Sequence, residues 1–368
     1  GFPRLENLIK ASVIQAIYGE ALRSGKPVFC IVDDTIAENK AFVTPLHPIE
    51  DAYFHQSHLK RRQDYGHQAV TAMLSCNGLT LNYAVVLYDK STSKIQIVQD
   101  IARELPAPPV RSYFLCDSWY TSKDVMAASV EAFLAIGAVK TNRIIFPVNV
   151  KMSIRDFASR LRTRCPSVRL VTVGGRRYYV YRYEGKLNDG VEGVVLITYQ
   201  KRFPQAEALR AFLCLDRSKS TKDILNAYLV RWDVEVFIRQ SKEKLAFGQC
   251  QLRSSQGIRR YWLLMSLAHL LCCVGTGEKT TFEAGYAFFQ NRIREEQVTF
   301  IYQCGKHRVP LEDILALVGN SAQFCGLIIV DIQQLTNLCF VNISNLLIYS
   351  IKLIFLFSFQ CNGQILRL

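Results

Sequence analysis

The sequence predicts an α/β fold, with a central mixed sheet flanked by helices and interrupted by a β-rich insertion. Three observations predict it. Short apolar runs that end in carboxylates alternate with helical segments in the first 150 residues. A stretch rich in Tyr and Val, with glycines between its runs, fills about 167–215. Helical periodicity then returns from about residue 221.

Taken in order, PVFCIVDDT (27–35) is a buried-strand pattern that ends in acids. Residues 65–89 read as two strands joined by Asn77-Gly78, a dipeptide suited to a tight hairpin turn. RSYFLCDSWYTS (111–122) is a second apolar strand, ending in Asp117. Thr121 or Ser122 caps a helix expected from about Lys123 to Ile136, Gly137 ends it, and 138–146 returns as a strand. Ser220 or Thr221 caps a helical pattern that reaches about Leu245, and a further apolar helix is expected from about Ile258 to Cys273. Asp34 and Asp117 thus fall at the carboxyl ends of predicted strands, where open α/β sheets place their sites.

Lys and Arg total 45 against 31 acidic residues, a formal net charge of +14. Such an excess favours a polyanionic partner, nucleic acid first. The 12 cysteines are scattered and form no CxxC pair, which excludes a disulfide framework or a zinc finger and places the chain in a reducing compartment. The first residues lack a signal-peptide core and an initiator Met, so the natural N-terminus is expected upstream. After Gly319 charge nearly vanishes. Residues 341–360 are long enough to span a bilayer, but they hold Asn, Ser and Lys and lack flanking basic residues. The tail therefore reads as a frame-shifted or read-through end rather than a membrane span.

Tyr228, Arg231, Glu235 and Lys242 are offset by 3, 4 and 7 residues. At about 100° per residue they share one helix face within roughly 60°. Trp232, Val236 and Phe237 supply a separate apolar side. One acid among cations suits a place where a metal meets phosphates. With Asp34 and Asp117 from other elements, Glu235 completes three carboxylates able to converge on hard divalent cations.

The spacing Tyr228-x2-Arg231-x3-Glu235-x6-Lys242 resembles the Tyr-Arg-Glu-Lys motif of the insertion-sequence-four group of bacterial DDE transposases. IVDDT (31–35) and FLCDSWYTS (114–122) are similar to that group's two aspartate blocks. The resemblance covers about residues 27–275. It implies a ribonuclease-H-like fold: 1–150 as the first part of the catalytic domain, 151–218 as the β-rich insertion domain, 219–318 as the remainder with C-terminal helices, and 319–368 as an atypical apolar tail. It also implies two Mg²⁺ ions, replaceable by Mn²⁺, held by Asp34, Asp117 and Glu235 as catalytic and metal-binding residues. Asp33 is set aside, because the family's acid directly precedes Thr. Tyr228, Arg231 and Lys242 are the implied contacts to DNA phosphates. The implied activity is cut-and-paste movement of double-stranded DNA with terminal inverted repeats into target DNA. The implied state is a homodimer on DNA in the bacterial cytoplasm, associated with the nucleoid. A metal nuclease without strand transfer and an inactive DNA-binding remnant are the alternatives.

Weaker signals surround this set. Lys140 and Arg143, just after the second acid's helix, are further candidates for DNA contact. His47, His55, His58 and His67 lack a full zinc ligand set and read as packing or hydrogen-bonding residues. Lys60, Arg61 and Arg62 read as a solvated loop, with phosphate contact as the alternative. The Arg and Tyr run from Arg176 to Tyr183 fits either a two-sided strand or a stacking surface. Trp119 reads as a packing residue that shapes the site.

Overall fold

A computed structural model describes residues 2–38, 49–57, 62–129, 132–162, 165–200, 209–250, 252–275 and 279–319. The strands are β1 (Phe29–Glu38), β2 (Tyr53–Ser57), β3 (Arg62–Cys76), β4 (Leu79–Tyr88), β5 (Tyr113–Cys116), β6 (Leu134–Val139), β7 (Ile144–Ile145), β8 (Met152–Ser153), β9 (Val168–Val173), β10 (Arg176–Lys186), β11 (Glu192–Tyr199) and β12 (Arg210–Cys214). The helices are α1 (Phe2–Ser24), α2 (Lys94–Glu104), α3 (Lys123–Ser129), α4 (Ile154–Arg160), α5 (Thr221–Leu229), α6 (Trp232–Lys244), α7 (Ser255–Val274), α8 (Phe282–Lys306) and α9 (Leu311–Gly319). The chain divides into two compact units. One comprises Ala11–Thr35 and Gln68–Phe237; the other comprises the described parts of Gly1–Lys10, Ile36–His67 and Ile238–Leu368.

In the first unit the sheet order is β4-β3-β1-β5-β6-β12-β11-β10-β9. Asn77 and Gly78 turn the β3–β4 hairpin at positive φ, 48° and 79°, the conformation that a twisted two-residue hairpin demands. β1, β5 and β6 are parallel, with Ile31 beside Leu115 and Leu115 beside Ile136. All four residues of β5 are buried, as expected for a parallel strand covered on both faces. The result is a mixed sheet flanked by helices, consistent with a ribonuclease-H-like fold.

The β-rich stretch does not form a sheet of its own. β12 runs antiparallel to β6, with Leu213 opposite Gly137, and β11, β10 and β9 follow in antiparallel succession. Local alternation identifies strands but carries no trace of which edge they join.

Gly137, expected to end a helix, lies inside β6, which begins at Leu134, whereas the described residues of α3 are Lys123–Ser129. A Cβ at Gly137 would strike Thr121 Cγ2 and lie 2.9 Å from Cys116 Sγ and 3.2 Å from the Cys116 carbonyl oxygen. Glycine is thus needed for the close approach of β6 to the strand end that carries Asp117. Gly137→Ala should destabilise the fold by about 2–3 kcal/mol through overpacking. The readout is a lower urea midpoint at unchanged slope; an unshifted midpoint would show that the neighbours give way freely.

In the second unit, β2 pairs with the start of β3, Tyr53 opposite Gly66. His55 Nε2 lies 3.2 Å from the Gly66 carbonyl and His67 Nε2 lies 3.0 Å from that of Glu50. Both therefore hydrogen-bond, one of the two roles expected of them, and their partners are backbone carbonyls; His47 and His58 lie outside the described residues. The same holds for Lys60 and Arg61, whereas Arg62 pairs with Asp64 at 2.9 Å. Gly285 brings α8 against α7, since a Cβ there would strike the Cys272 carbonyl oxygen. Residues 320–368, with the apolar run 341–360, also lie outside the described residues. Among those described, no helix is long and apolar enough to cross a membrane.

Candidate active site

The register of the parallel strands sets the acids. Ile31 lies beside Leu115, so two residues further on Asp33 comes level with Asp117. Residues two apart share a face of a strand, and adjacent residues take opposite faces. Asp33 therefore shares its face with Asp117, while Asp34 points to the other. Asp117 directly follows β5, as expected; Asp33 and Asp34 lie within β1, which continues to Glu38. The expected strand end at Asp34 is thus overrun, because strand pairing does not stop where the apolar run stops.

Each acid has distinct partners. Arg231 Nη1 donates to Asp33 Oδ2 at 2.8 Å, and its Nη2 donates to Glu235 Oε1 at 2.5 Å. One guanidinium thus links two carboxylates, a charge-assisted fork. Burial pushes the Asp33 carboxyl up to about 6; Arg231 works against this, and the neighbouring Asp117 and Asp34 add to it. On the opposite face, Asp34 accepts from Tyr120 Oη at 2.8 Å and from Lys94 Nζ at 3.1 Å, and also from Gln68 Nε2. Sequence reading did not single out Tyr120, Gln68 or Lys94. The only signal available was the placement of Tyr120 three residues after Asp117.

The helix that carries the motif is broken. α5 ends at Leu229 and α6 begins at Trp232, with Arg231 in the link. The link is closed by i→i+3 bonds, Arg231 N–H to the Tyr228 carbonyl at 3.1 Å and Val234 N–H to the Arg231 carbonyl at 3.3 Å. This tightened turn keeps Arg231 within reach of Glu235. Tyr228 packs on Phe212 of β12, ring centroids 4.6 Å apart, and the Arg231 guanidinium lies 5.8 Å from the Tyr228 ring centre. Asp233, in the first turn of α6, accepts from Thr80 Oγ1 at 2.8 Å and from Ser75 Oγ at 3.1 Å, which anchors the helix start to the β3–β4 hairpin. Val234 and Phe237 form the buried side of α6; Trp232, expected there, is exposed. Lys242 is half-buried, seven residues beyond Glu235 on α6.

Asp117 Oδ1 accepts the backbone N–H groups of Trp119 at 2.9 Å and Tyr120 at 3.3 Å. Its carboxylate is therefore oriented by its own turn. Arg143 is engaged internally, donating to the Thr121 carbonyl at 2.7 Å and to Asp189. Lys140 is exposed, with its Nζ 5.1 Å from the centre of the Trp119 ring. Trp119 is not the packing residue expected, since it is exposed and it is Tyr120 that fills the core. Among the described residues, no three His, Cys, Asp or Glu side chains converge closely enough to hold a metal ion by themselves. Arg231 supplies the counter-charge to two of these acids instead.

No curated protein was found to match the chain. Residues 24–271 match the family model described as "Transposase DDE domain". That match spans well over half of the chain and contains the strands, the acids and the broken helix described above, so the chain belongs to the transposase DDE domain family.

Proposed function

We propose that this transposase cuts DNA at the ends of a mobile element and joins the freed 3′-hydroxyl to target DNA, a cut-and-paste reaction of the insertion-sequence-four type. The observation that carries the reading is the Arg231 fork, which brings an acid of β1 and the acid of α6 to one guanidinium, with Asp117 beside them. The carboxylate set suits hard divalent cations, two Mg²⁺ or Mn²⁺, whose ligands are oxygens. The desolvated charge at Asp33, crowded by Asp117 and Asp34, is what such a cation relieves.

When bound, the ions supply the Lewis acidity that activates the attacking oxygen and stabilises the leaving one. The chain's own residues do the rest. Asp117 is held in place by its turn. Glu235 is presented by the first turns of a helix that Asp233 anchors. Arg231, once exchanged from the acids, has its fork free to clamp a phosphate, with Tyr228 behind it and Lys242 further along the helix. The strands from β9 to β12 correspond in this reading to the family's inserted β-rich part. On DNA the protein acts as a homodimer at two element ends, in the bacterial cytoplasm.

The motif alone gives Asp34 as the first metal ligand, with Asp117 and Glu235. A second reading, favoured by the shared face and the Arg231 fork, gives that place to Asp33 and makes Asp34 the anchor of Tyr120 and Lys94. The function itself is tested with the full chain, Mg²⁺ and oligonucleotides that carry the terminal inverted repeats flanking its gene. Both nicked ends and joined products are expected. Nicks without joined products would leave a metal nuclease; neither product, despite binding, would leave an inactive DNA-binding remnant.

A further inference from the structure

A tryptophan usually buries most of its ring, but Trp119 is 55% exposed. Its position is nonetheless fixed. Its backbone N–H is bound to Asp117 Oδ1 at 2.9 Å, and the next residue, Tyr120, is fully buried. The exposed ring is therefore tied to one of the acids of the site.

Two ammonium groups converge on that ring from different elements. Lys94, in the first turn of α2, has its Nζ 5.3 Å from the ring centre; Lys140, just after β6, has its Nζ 5.1 Å away. Lys94 also lies 3.1 Å from Asp34. Among the described residues no carboxylate pairs with Lys140. Both distances are within the range of attraction between a cation and the face of an indole.

An exposed aromatic ring bracketed by lysines is poorly suited to an intact duplex, whose bases are stacked on one another and out of reach. It suits an unpaired strand, which offers a base face to the ring and phosphates to the cations. We infer that Trp119 is a stacking platform for a nucleobase of an unpaired DNA strand at the acid pocket, with Lys94 and Lys140 holding the flanking phosphates. The inference rests on DNA being the substrate and adds what part of it is gripped: a splayed end rather than paired duplex.

The test compares the full chain with its Trp119→Ala and Trp119→Phe variants, without divalent metal, on two fluorescein-labelled DNAs. One is a blunt duplex; the other is the same duplex with a single-stranded 3′ overhang. Loss of one stacked base should weaken overhang binding by about tenfold in Trp119→Ala, while Trp119→Phe stays within about threefold of wild type. Affinity for the blunt duplex should change less than about twofold, since no base stacks there. Unchanged overhang binding, or equal losses on both DNAs, overturns the inference. A second measurement leaves Trp119 in place. In Trp232→Phe the two remaining indoles are Trp119 and the buried Trp262. Overhang DNA should quench their emission and blunt duplex should not; no quenching by bound overhang DNA overturns the inference. A wild-type chain that binds neither DNA sinks the DNA reading itself, and this inference with it.

Discussion

Glu235→Gln is expected to lower Mg²⁺-dependent nicking by at least about a hundredfold, the scale of a lost catalytic position, while the protein still binds DNA. Glutamine keeps the size of the side chain and can still accept from Arg231. It removes one negative charge, which a hard divalent cation needs from its ligand. DNA affinity should hold or rise, because a like charge near the phosphates is gone. Mn²⁺ should restore part of the rate, since it too takes carboxylate and water ligands. The measurement pairs a binding isotherm with single-turnover nicking of the same oligonucleotide. A variant that nicks at nearly the wild-type rate would remove Glu235 from the site, whatever the family match.

The second large effect distinguishes the two neighbouring aspartates. Asp33→Asn is expected to reduce nicking as severely as Glu235→Gln, because Asp33 faces Asp117 and shares Arg231 with Glu235. Asp34→Asn should cost less, since its partners are Tyr120, Gln68 and Lys94. The reverse ranking would return the first metal position to Asp34. Stability offers an independent check. In the folded, metal-free protein Asp33 titrates at about 6; in the unfolded chain an aspartate titrates near 3.9. Between those values the folded state holds a proton that the unfolded state has lost. The protonated carboxyl therefore favours folding at low pH, and this contribution is lost as pH rises through about 6. In EDTA, the fall in melting temperature between pH 5 and pH 7 should be smaller in Asp33→Asn than in the wild type. Identical pH profiles would mean that Asp33 keeps an ordinary pKa.

The order of strands and helices in the catalytic part was largely legible because apolar runs, Asn77-Gly78 and the Ser220 cap each act locally. α1 was missed although Ile9, Val13, Ile17 and Ala21 recur at every fourth residue and are all buried. Where a signal depends on partners, the sequence misleads. Gly137 reads as a helix stop, but its reason is the closeness of Cys116 and Thr121. The motif Tyr228, Arg231, Glu235 and Lys242 reads as one helix face, yet the break at Arg231 leaves no mark in the spacing. Asp33 and Asp34 are adjacent and chemically identical. Only the parallel register, which couples Ile31 to Leu115, says which of them meets Asp117. Tyr120 and Lys94 owe their roles to that same geometry.

The Arg231–Asp33 contact joins residues 198 positions apart, and the parallel pairing of β1 with β5, with Ile31 beside Leu115, closes less than half of that stretch. This has a kinetic consequence. Each such closure costs chain entropy before any contact repays it, by about 0.6 kcal/mol for each doubling of loop length. Chains dominated by such distant pairings fold slowly, in milliseconds to seconds for small domains. Synthesis at about 5–20 residues per second would release β1 and β5 well before α6. A nascent or prematurely terminated chain can therefore assemble the parallel centre of the sheet and still lack Arg231 and Glu235. Such a chain carries the half-buried Asp33 carboxylate without its Arg231 counter-ion, and any cutting activity must wait until translation has passed the second of the two helices.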